Sequence, residues 1–408
     1  MNDLRALLTR TTGPGHANGA APGAVGLVAR GDRVEVAAVG TTTAVGTGDA
    51  GGTGDAGGTG TVPAPVPMAR DTLFRIASLT KPVTAAAALL LIEEGRIALE
   101  EPVRQWLPEL AEPRVVRTPA SPLDDVVPAD RVITVADVLA SRAGYGFAPD
   151  FSLPAVRALF DELWQGPPQP GHVPDPDTWM AALSRLPLLH QPGEAWLYNT
   201  CSDILGVLIA RVAGRPLPEF LAERLFTPLG MADTGFSVPP GKLDRFTGYY
   251  APDPDADGGL RLLDAPDGQW SIPPAFPSGA AGLVSTADDW YAFARMLLAQ
   301  GYAEKAGRRL LSAESVRLMT TDHLTAAQRE AAAPFLEGQG WGYGGSVDVR
   351  PTEPWNVPGR YGWVGGTGTT AHLTPATGTV AVLLTQLAMT DPAPPAPMRA
   401  FWRYASDD

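Results

Sequence analysis

The sequence predicts an α+β protein in which an antiparallel sheet, built from both ends of the chain, is flanked by helices and interrupted by a mainly helical insertion. Hairpin patterns lie near both ends, and helical apolar spacing occupies the middle. A chain of 408 residues suffices for one large composite domain or two packed ones. We therefore expect an α/β subdomain over residues 1–95 and 275–408, and a mainly helical subdomain over residues 96–274.

The N-terminal hairpin is predicted from two apolar runs, residues 22–29 and 34–39, which flank a Gly-Asp pair. Beyond it, residues 47–60 repeat the glycine-rich hexapeptide TGDAGG. Such a repeat cannot bury a core, so we predict a flexible loop over residues 46–60. The alternative, a phosphate-binding loop, lacks the expected Lys-Ser/Thr ending and a following helix.

Helical patterns with start or stop signals follow along the chain. They cover residues 80–94, 135–139, 202–212 and 288–299. The Pro-rich stretch 165–178 is predicted to be a surface loop. Two apolar runs, residues 369–374 and 379–384, flank a Pro-containing turn and predict the C-terminal hairpin that completes the sheet.

Charge and composition argue against several classes of partner. The formal net charge of −13 disfavours nucleic acid and anionic membrane surfaces, because phosphate binding needs a basic patch. No apolar run reaches membrane-spanning length and the first residues lack an export pattern, so we expect no membrane association and a cytoplasmic location. The histidines show no metal-ligand spacing, so neither a metal nor another cofactor is expected. The single cysteine, Cys201, is more typical of a core residue than of a nucleophile.

Ser78 and Lys81 are the first candidate catalytic pair. If Ser78 opens the predicted helix, Lys81 lies one turn further on the same face, where its amine can reach the serine hydroxyl. A nucleophilic serine needs an adjacent base, and a desolvated lysine can act as one. The chain has only three lysines, so a chance match to Ser-x-x-Lys has a prior of roughly one in six.

Two further segments could complete a site. Tyr198 precedes a predicted helix and is either a packing residue or a proton-transfer group, and a cation such as Lys81 would lower its pKa of about 10. The glycine-rich run 362–369 is either a turn or a strand edge that a substrate carbonyl can approach closely. No Gly-x-Ser-x-Gly motif occurs, which argues against an α/β-hydrolase triad.

Six segments, in one order along the chain, resemble the β-lactamase-related serine hydrolases, the superfamily of class C β-lactamases and penicillin-binding proteins. They are residues 74–84, 93–99, 133–139, 191–198, 225–231 and 282–289. The resemblance extends over roughly residues 20–405 and implies a β-lactamase/transpeptidase-like fold. It also implies that Ser78 forms an acyl-enzyme, that Lys81 and Tyr198 pass the proton, and that Tyr198 then activates water. The Gly366 N–H would complete an oxyanion hole with the Ser78 N–H.

Two departures from the family motifs concern substrate binding. Thr200 stands where the Tyr-x-Asn motif has Asn, and Trp363-Val364-Gly365 replaces the usual Lys/His-Thr/Ser-Gly. A tryptophan at that position removes the cation that would hold a β-lactam or peptide carboxylate. Trp-x-Gly-Gly resembles the carboxylesterase and acyltransferase branch of the superfamily. Thr200, Trp363 and Gly365 are therefore expected to bind substrate.

These observations together predict a carboxylesterase that acts on small, uncharged esters. The alternatives are an acyltransferase, a β-lactamase or a D-amino-acid peptidase that uses the same site on a small-molecule ester or amide. A catalytically silent binding homologue is a further alternative, although the intact Ser78, Lys81 and Tyr198 argue against it. Four aromatic residues either line an acyl pocket or pack elsewhere in the core: Tyr145, Trp341, Tyr343 and Trp355.

Overall fold

The computed structural model describes residues 3–12, 21–44, 65–253, 255 and 259–407. Its strands are β1 (Gly23–Arg30), β2 (Arg33–Gly40), β3 (Phe74–Arg75), β4 (Arg114–Val116), β5 (Val126–Pro128), β6 (Tyr249–Pro252), β7 (Leu260–Asp264), β8 (Val284–Ser285), β9 (Tyr302–Ala303), β10 (Arg308–Arg309), β11 (Gly340–Trp341), β12 (Ser346–Val347), β13 (Tyr361–Gly365), β14 (Thr369–Thr374) and β15 (Thr379–Thr385). Its α-helices are α1 (Leu4–Thr9), α2 (Thr80–Glu93), α3 (Val135–Leu139), α4 (Pro154–Leu163), α5 (Pro176–Leu183), α6 (Thr200–Ala213), α7 (Leu217–Leu221), α8 (Thr227–Leu229), α9 (Ala287–Leu298), α10 (Ala313–Met319), α11 (Ala326–Ala331), α12 (Ala333–Leu336) and α13 (Ala396–Ser406).

The main sheet joins the two ends of the chain. Among the described residues its strand order is β11-β12-β13-β14-β15-β1-β2, and every neighbouring pair is antiparallel. The last strand, β15, pairs with the first, β1, with Leu27 opposite Val382. This confirms the predicted α+β class, in which a sheet assembled from both ends is flanked by helices.

Helix α2 lies at the centre of the molecule. Its residues from Thr80 to Leu91 are all buried, as expected of a helix with apolar residues on every side. The helix packs against α6, and the β11–β12 turn approaches its first turn closely. A Cβ atom at Gly344 in that turn would lie only 2.5 Å from the Lys81 carbonyl oxygen. Lys81 is therefore enclosed from the sheet side and from the helical side.

The predicted elements are confirmed with small shifts at their ends. Residues 80–94 become α2, which stops one residue earlier, and residues 202–212 become the slightly longer α6. Helix α9 begins after Thr286, whose side chain caps the helix by accepting from the Asp289 N–H at 3.2 Å. The hairpin strands β1, β2, β14 and β15 also agree with the prediction.

The prediction of a surface loop over the Pro-rich residues 165–178 is wrong in two respects. Its last residues open α5, because Asp175 caps that helix and Pro176 suits its first position. Its first residue, Gln165, is buried rather than exposed. The rest of the stretch, residues 166–174, forms no regular element and lies at or near the surface.

Four further expectations concern the domain division, the glycine-rich loop, membrane association and metal binding. The division at residues 95 and 275 stays a prediction, and the glycine-rich stretch 46–60 lies outside the described residues. Within the described ranges, the helices are too short or too polar to cross a lipid bilayer. The same ranges contain no cluster of three or more His, Cys, Asp or Glu side chains that could hold a metal ion.

Candidate active site

Ser78 lies on a sharp connection between a strand and a helix. Strand β3 pairs with β8, and the chain then turns through a 3₁₀ turn, Ala77–Leu79, into α2. Ala77 has φ +43°, a left-handed conformation that is unfavourable for a residue with a Cβ atom. Such strain persists only where the surroundings hold it, so the neighbours of this turn decide where Ser78 points.

Arg75 anchors the segment before the serine. Its buried guanidinium forms an ion pair with Asp264, donates to the Thr247 carbonyl at 2.6 Å and to the Ala265 carbonyl at 2.9 Å. The Arg75 carbonyl in turn accepts from the Thr367 hydroxyl at 2.6 Å. A buried ion pair tolerates burial only when its remaining hydrogen-bonding groups are largely satisfied, and these contacts tie the turn to distant parts of the chain.

Lys81 is the group that reaches Ser78 from the helix side. Its Nζ lies 2.9 Å from Ser78 Oγ, from Asn199 Oδ1 and from the Ala280 carbonyl oxygen. Burial lowers the pKa of Lys81 to about 7, and the charge of Asp203 opposes that shift. A neutral amine keeps two N–H donors for Asn199 and Ala280, which leaves its lone pair for the Ser78 hydroxyl.

Tyr198 reaches Ser78 from the opposite side. Its Oη donates to Ser78 Oγ at 2.7 Å and accepts from Trp363 Nε1 at 2.7 Å. Burial raises the pKa of Tyr198 to about 12, although the hydrogen bonds with Ser78 and Trp363 work in the other direction. The expectation that Lys81 would lower this pKa is wrong, because desolvation is the largest influence on Tyr198 and outweighs the two hydrogen bonds.

Asn199, which the sequence reasoning passed over, takes the place predicted for Thr200. Asn199 has φ +78° and ψ −69°, the conformation of a γ-turn, and the Thr200 N–H donates to the Tyr198 carbonyl across it at 3.2 Å. The Asn199 Oδ1 faces Lys81. Thr200 has no exposed surface, and its hydroxyl donates to Gln165 Oε1 at 2.9 Å. The structure therefore does not bring Thr200 to a surface that a substrate could touch. The available signal was the Asn one position earlier than the motif expects.

The end of β13 packs against the serine turn. A Cβ atom at Gly365 would lie 2.5 Å from the Ile76 carbonyl oxygen, so only glycine allows this approach. The Thr369 hydroxyl donates to the same Ile76 oxygen at 3.1 Å. Gly366, the next residue, is exposed, with open space where a side chain would begin. Gly366 rather than Gly365 is thus the residue of the pair that a ligand can approach.

An aromatic wall borders Tyr198. The wall consists of Phe147, Phe151, Phe160 and Phe335, and it joins Tyr198 through Phe335, with ring centroids 5.4 Å apart. Phe151 is 41% exposed and packs 6.0 Å from Phe335, so part of the wall is open to solvent. The four aromatic residues named from the sequence are instead nearly inaccessible: Tyr145, Trp341, Tyr343 and Trp355.

Cys201 offers no competing nucleophile. It is fully buried near the start of α6, and burial raises the pKa of its thiol to about 12. A thiol in that environment stays protonated and unreactive at neutral pH. Its placement agrees with the core residue expected from the sequence.

This sheet and its flanking helices form the fold of β-lactamase-fold and penicillin-binding proteins. The chain belongs to the Beta-lactamase family, whose model matches residues 8–401. This finding confirms the family resemblance drawn from the sequence segments.

The chain is similar to several proteins with known sequences or structures. The chain is 40% identical to Protein Rv1367c of Mycobacterium tuberculosis over 333 aligned residues, and the alignment covers 80% of each sequence. It is 30% identical over 297 residues to Esterase EstB of Burkholderia gladioli, covering 68% of this chain and 67% of that protein. The solved structure of EstCE1, described as a hydrolase with promiscuous acyltransferase activity, superposes with a TM-score of 0.69 at 24% identity, covering 95% of this chain and 93% of that one.

Proposed function

We propose that this protein is a carboxylesterase that hydrolyses small, uncharged esters through an acyl-enzyme on Ser78. The observation that carries the proposal is the pair of groups on the serine oxygen, Lys81 Nζ at 2.9 Å and Tyr198 Oη at 2.7 Å. A serine activated by an adjacent amine and flanked by a second proton donor suits acyl transfer chemistry. The esterase named among the relatives supports the same reaction class.

In the first half of the reaction, neutral Lys81 accepts the Ser78 proton while Oγ attacks the ester carbonyl carbon. The carbonyl oxygen gains the negative charge and is held by the N–H groups of Ser78 and Gly366. The bond to the alcohol oxygen then breaks, and Tyr198 donates its proton to the departing alkoxide. Lys81, now an ammonium, returns a proton to Tyr198. Lys81 rather than Tyr198 is the first base, because the phenolic proton already points at Ser78 Oγ.

In the second half, water replaces the alcohol. Tyr198 accepts the water proton and passes its own phenolic proton to neutral Lys81 as the water oxygen attacks the acyl carbon. The bond to Ser78 Oγ then breaks to release the carboxylic acid. Ser78 recovers a proton from the same pair of residues. Each proton therefore passes between groups that lie within hydrogen-bond distance of the serine oxygen.

Trp363 favours an uncharged substrate. It occupies the strand position where the family motif carries a cation, and its indole N–H is already bonded to Tyr198 Oη. A substrate carboxylate at this position would meet no ammonium or guanidinium from residue 363. β-Lactams and peptides with a free terminus carry such a carboxylate and would leave it without a partner, whereas esters that lack a carboxylate near the scissile bond would not.

The first experiment compares p-nitrophenyl acetate, butyrate and octanoate with the β-lactam nitrocefin. We expect ester hydrolysis, with kcat/KM for nitrocefin at least about 100-fold lower than for the best ester, because the carboxylate lacks a partner. Nitrocefin turnover as fast as ester turnover would show that Trp363 does not select against β-lactams. No turnover of either class would contradict the proposal.

Acyl transfer to an alcohol is the second candidate function. Ser78 is only 8% exposed, and its partner Tyr198 packs against Phe335 of the aromatic wall, so we expect access of water to the acyl carbon to be restricted. The acyltransferase activity in the description of EstCE1 is consistent with such a partition. Adding a short primary alcohol to the ester assay tests this directly, since transesterification produces a new ester where hydrolysis produces only acid.

The exposed part of the aromatic wall predicts a preference for acyl length. Replacing Phe151 by Ala should lower kcat/KM for the octanoate ester about 10-fold and leave the acetate ester nearly unchanged, because a longer acyl chain loses apolar contact. Tyr302, which is 43% exposed on β9, gives the matched control. The wall would be excluded as an acyl site if Phe151→Ala lowered kcat/KM equally for both esters. It would also be excluded if Tyr302→Ala lowered kcat/KM for the octanoate ester as much as Phe151→Ala does.

A further inference from the structure

A buried chain of hydrogen bonds leads away from Lys81. Lys81 Nζ donates to Asn199 Oδ1 at 2.9 Å, Asn199 Nδ2 donates to Gln165 Oε1 at 2.9 Å, and Gln165 Nε2 donates to Asp203 Oδ2 at 2.7 Å. All four side chains are at least nine-tenths buried. Neither Gln165 nor Asp203 takes part in the proton transfers of the proposed reaction.

The carboxylate at the end of the chain sets the direction of every bond in it. Burial raises the pKa of Asp203, whereas its hydrogen bonds from Ser278, Gln165 and the Ala280 N–H favour the ionised form. In that form the carboxylate only accepts, so Gln165 turns its NH₂ toward Asp203 and its oxygen toward Asn199. Asn199 must then donate to Gln165, which leaves its oxygen facing Lys81. The opposite orientation of either amide would bring two donors, or two acceptors, into contact in a buried site.

Asp203 is itself held by the segment that supplies the third partner of Lys81. Its Oδ1 accepts from Ser278 Oγ at 2.6 Å and from the Ala280 N–H at 3.0 Å. The Ala280 carbonyl oxygen accepts from Lys81 at 2.9 Å. The lysine amine is thus held at two acceptors, Asn199 Oδ1 and Ala280 O, whose positions both depend on Asp203.

The backbone brings Gln165 into this network. Helix α4 ends at Trp164, whose φ of +54° reverses the chain, and the Gln165 N–H bonds back to the Leu159 carbonyl oxygen at 3.2 Å. On its other side Gln165 lines a cavity of about 40 Å³, which has room for a small number of water molecules. Asn199 and Asp203 line the same cavity, whereas Lys81 does not, so these side chains lie between the lysine amine and a space that water could fill.

We propose that Gln165 and Asp203 are positioning residues for the lysine base. They hold the Asn199 amide with its oxygen toward Lys81. Because the amine then donates to Asn199 and Ala280, its lone pair faces the Ser78 hydroxyl. The inference rests on the proposed function, in which neutral Lys81 takes the serine proton. It adds a requirement that the family motifs do not contain, because neither residue belongs to a motif and neither touches the serine.

The test compares Gln165→Met, which keeps side-chain length and removes both polar groups, with Gln169→Met in the same loop. We expect Gln165→Met to lower kcat about 10- to 100-fold with KM within about twofold, because a misplaced base slows the chemical step and not binding. Gln169→Met should behave as the wild type. Equal kcat values for Gln165→Met and the wild type would overturn the proposal.

Asp203→Asn supplies a second variant with a different readout. Removing the negative charge should lower the pKa of Lys81 further, since Asp203 raises it, and so move the acid limb of kcat/KM to lower pH by about one unit. The other titratable group facing Lys81 is Tyr198, which stays protonated through this range. A merely structural role for Asp203 would lower the melting temperature and leave the acid limb in place.

A fluorophosphonate probe separates failure of this inference from failure of the proposed function. The rate at which the probe labels Ser78 depends on the lysine base and not on the natural substrate. Suppose that the wild type hydrolyses esters, and that Gln165→Met and Asp203→Asn keep its labelling rate and the acid limb of its pH profile. That result would overturn the positioning role and leave the esterase proposal standing. Slower labelling in Gln165→Met without any ester turnover would support the positioning role and contradict the esterase. A wild type that neither hydrolyses esters nor reacts with the probe would contradict both.

Discussion

Ser78→Ala is expected to reduce ester turnover by about 10⁵-fold, the largest effect of any single substitution in this protein. The serine oxygen is the atom that both Lys81 and Tyr198 approach, and alanine leaves these two groups without an atom to activate. Loss of a serine nucleophile in other hydrolases has effects of this order. The measurement is kcat/KM for p-nitrophenyl butyrate, together with mass spectrometry for an acyl adduct on the protein.

Ser202→Ala is the control for Ser78→Ala. Ser202 is also buried and lies close to Tyr198 in sequence, so its loss tests for a general effect of removing a buried hydroxyl. We expect near wild-type turnover and melting temperature from this variant. If Ser78→Ala retained more than about a hundredth of the wild-type rate, the nucleophile would have to be sought elsewhere.

Lys81→Met is expected to lower kcat/KM by about 10³- to 10⁴-fold, because it removes the general base and leaves the serine in place. Lys81→Arg should be nearly as inactive, since a guanidinium stays charged at every accessible pH and cannot accept the serine proton. Lys305→Met, which changes an exposed lysine, is the matched control. High activity in Lys81→Arg would show that position 81 provides charge and not a base.

The pH profile of the wild type checks the same assignment. Because burial lowers the pKa of Lys81 to about 7, the neutral amine becomes the major form above that value. kcat/KM should therefore rise about tenfold per pH unit below about 7 and level off above it. Tyr198 remains protonated over this range because its pKa is raised to about 12. An acid limb near pH 10 would indicate that Lys81 is not desolvated in the working enzyme.

Much of this arrangement could be predicted because it depends on short sequence separations. Ser78 and Lys81 are three residues apart at the start of a helix, so their contact follows from helix geometry alone. The strands at both ends of the chain are indicated by apolar runs on either side of turn residues, and they form the central strands β1, β14 and β15. The family segments then related these local features to one fold.

The rest could not be predicted because it depends on long-range packing. The pKa of Tyr198 rises because burial outweighs its hydrogen bonds with Ser78 and Trp363, and the degree of burial is a property of the folded protein. Asn199 lies at the centre of a γ-turn that directs its side chain toward Lys81, and no spacing rule indicates such a turn. Gln165 reaches the network because α4 ends with a reversal at Trp164, inside a stretch whose proline content predicted a surface loop.

The pairing of β1 with β15 has a consequence for synthesis on the ribosome. Arg30 pairs with Thr379, so about 350 residues must be translated after β1 before its partner strand exists. At about 5–20 residues per second this takes roughly 20 to 70 seconds, during which the apolar edge of the nascent β1–β2 hairpin stays unpaired. Chaperones that bind extended apolar segments would find their target there, and slowing translation should increase aggregation more than it does for a protein whose neighbouring strands are consecutive.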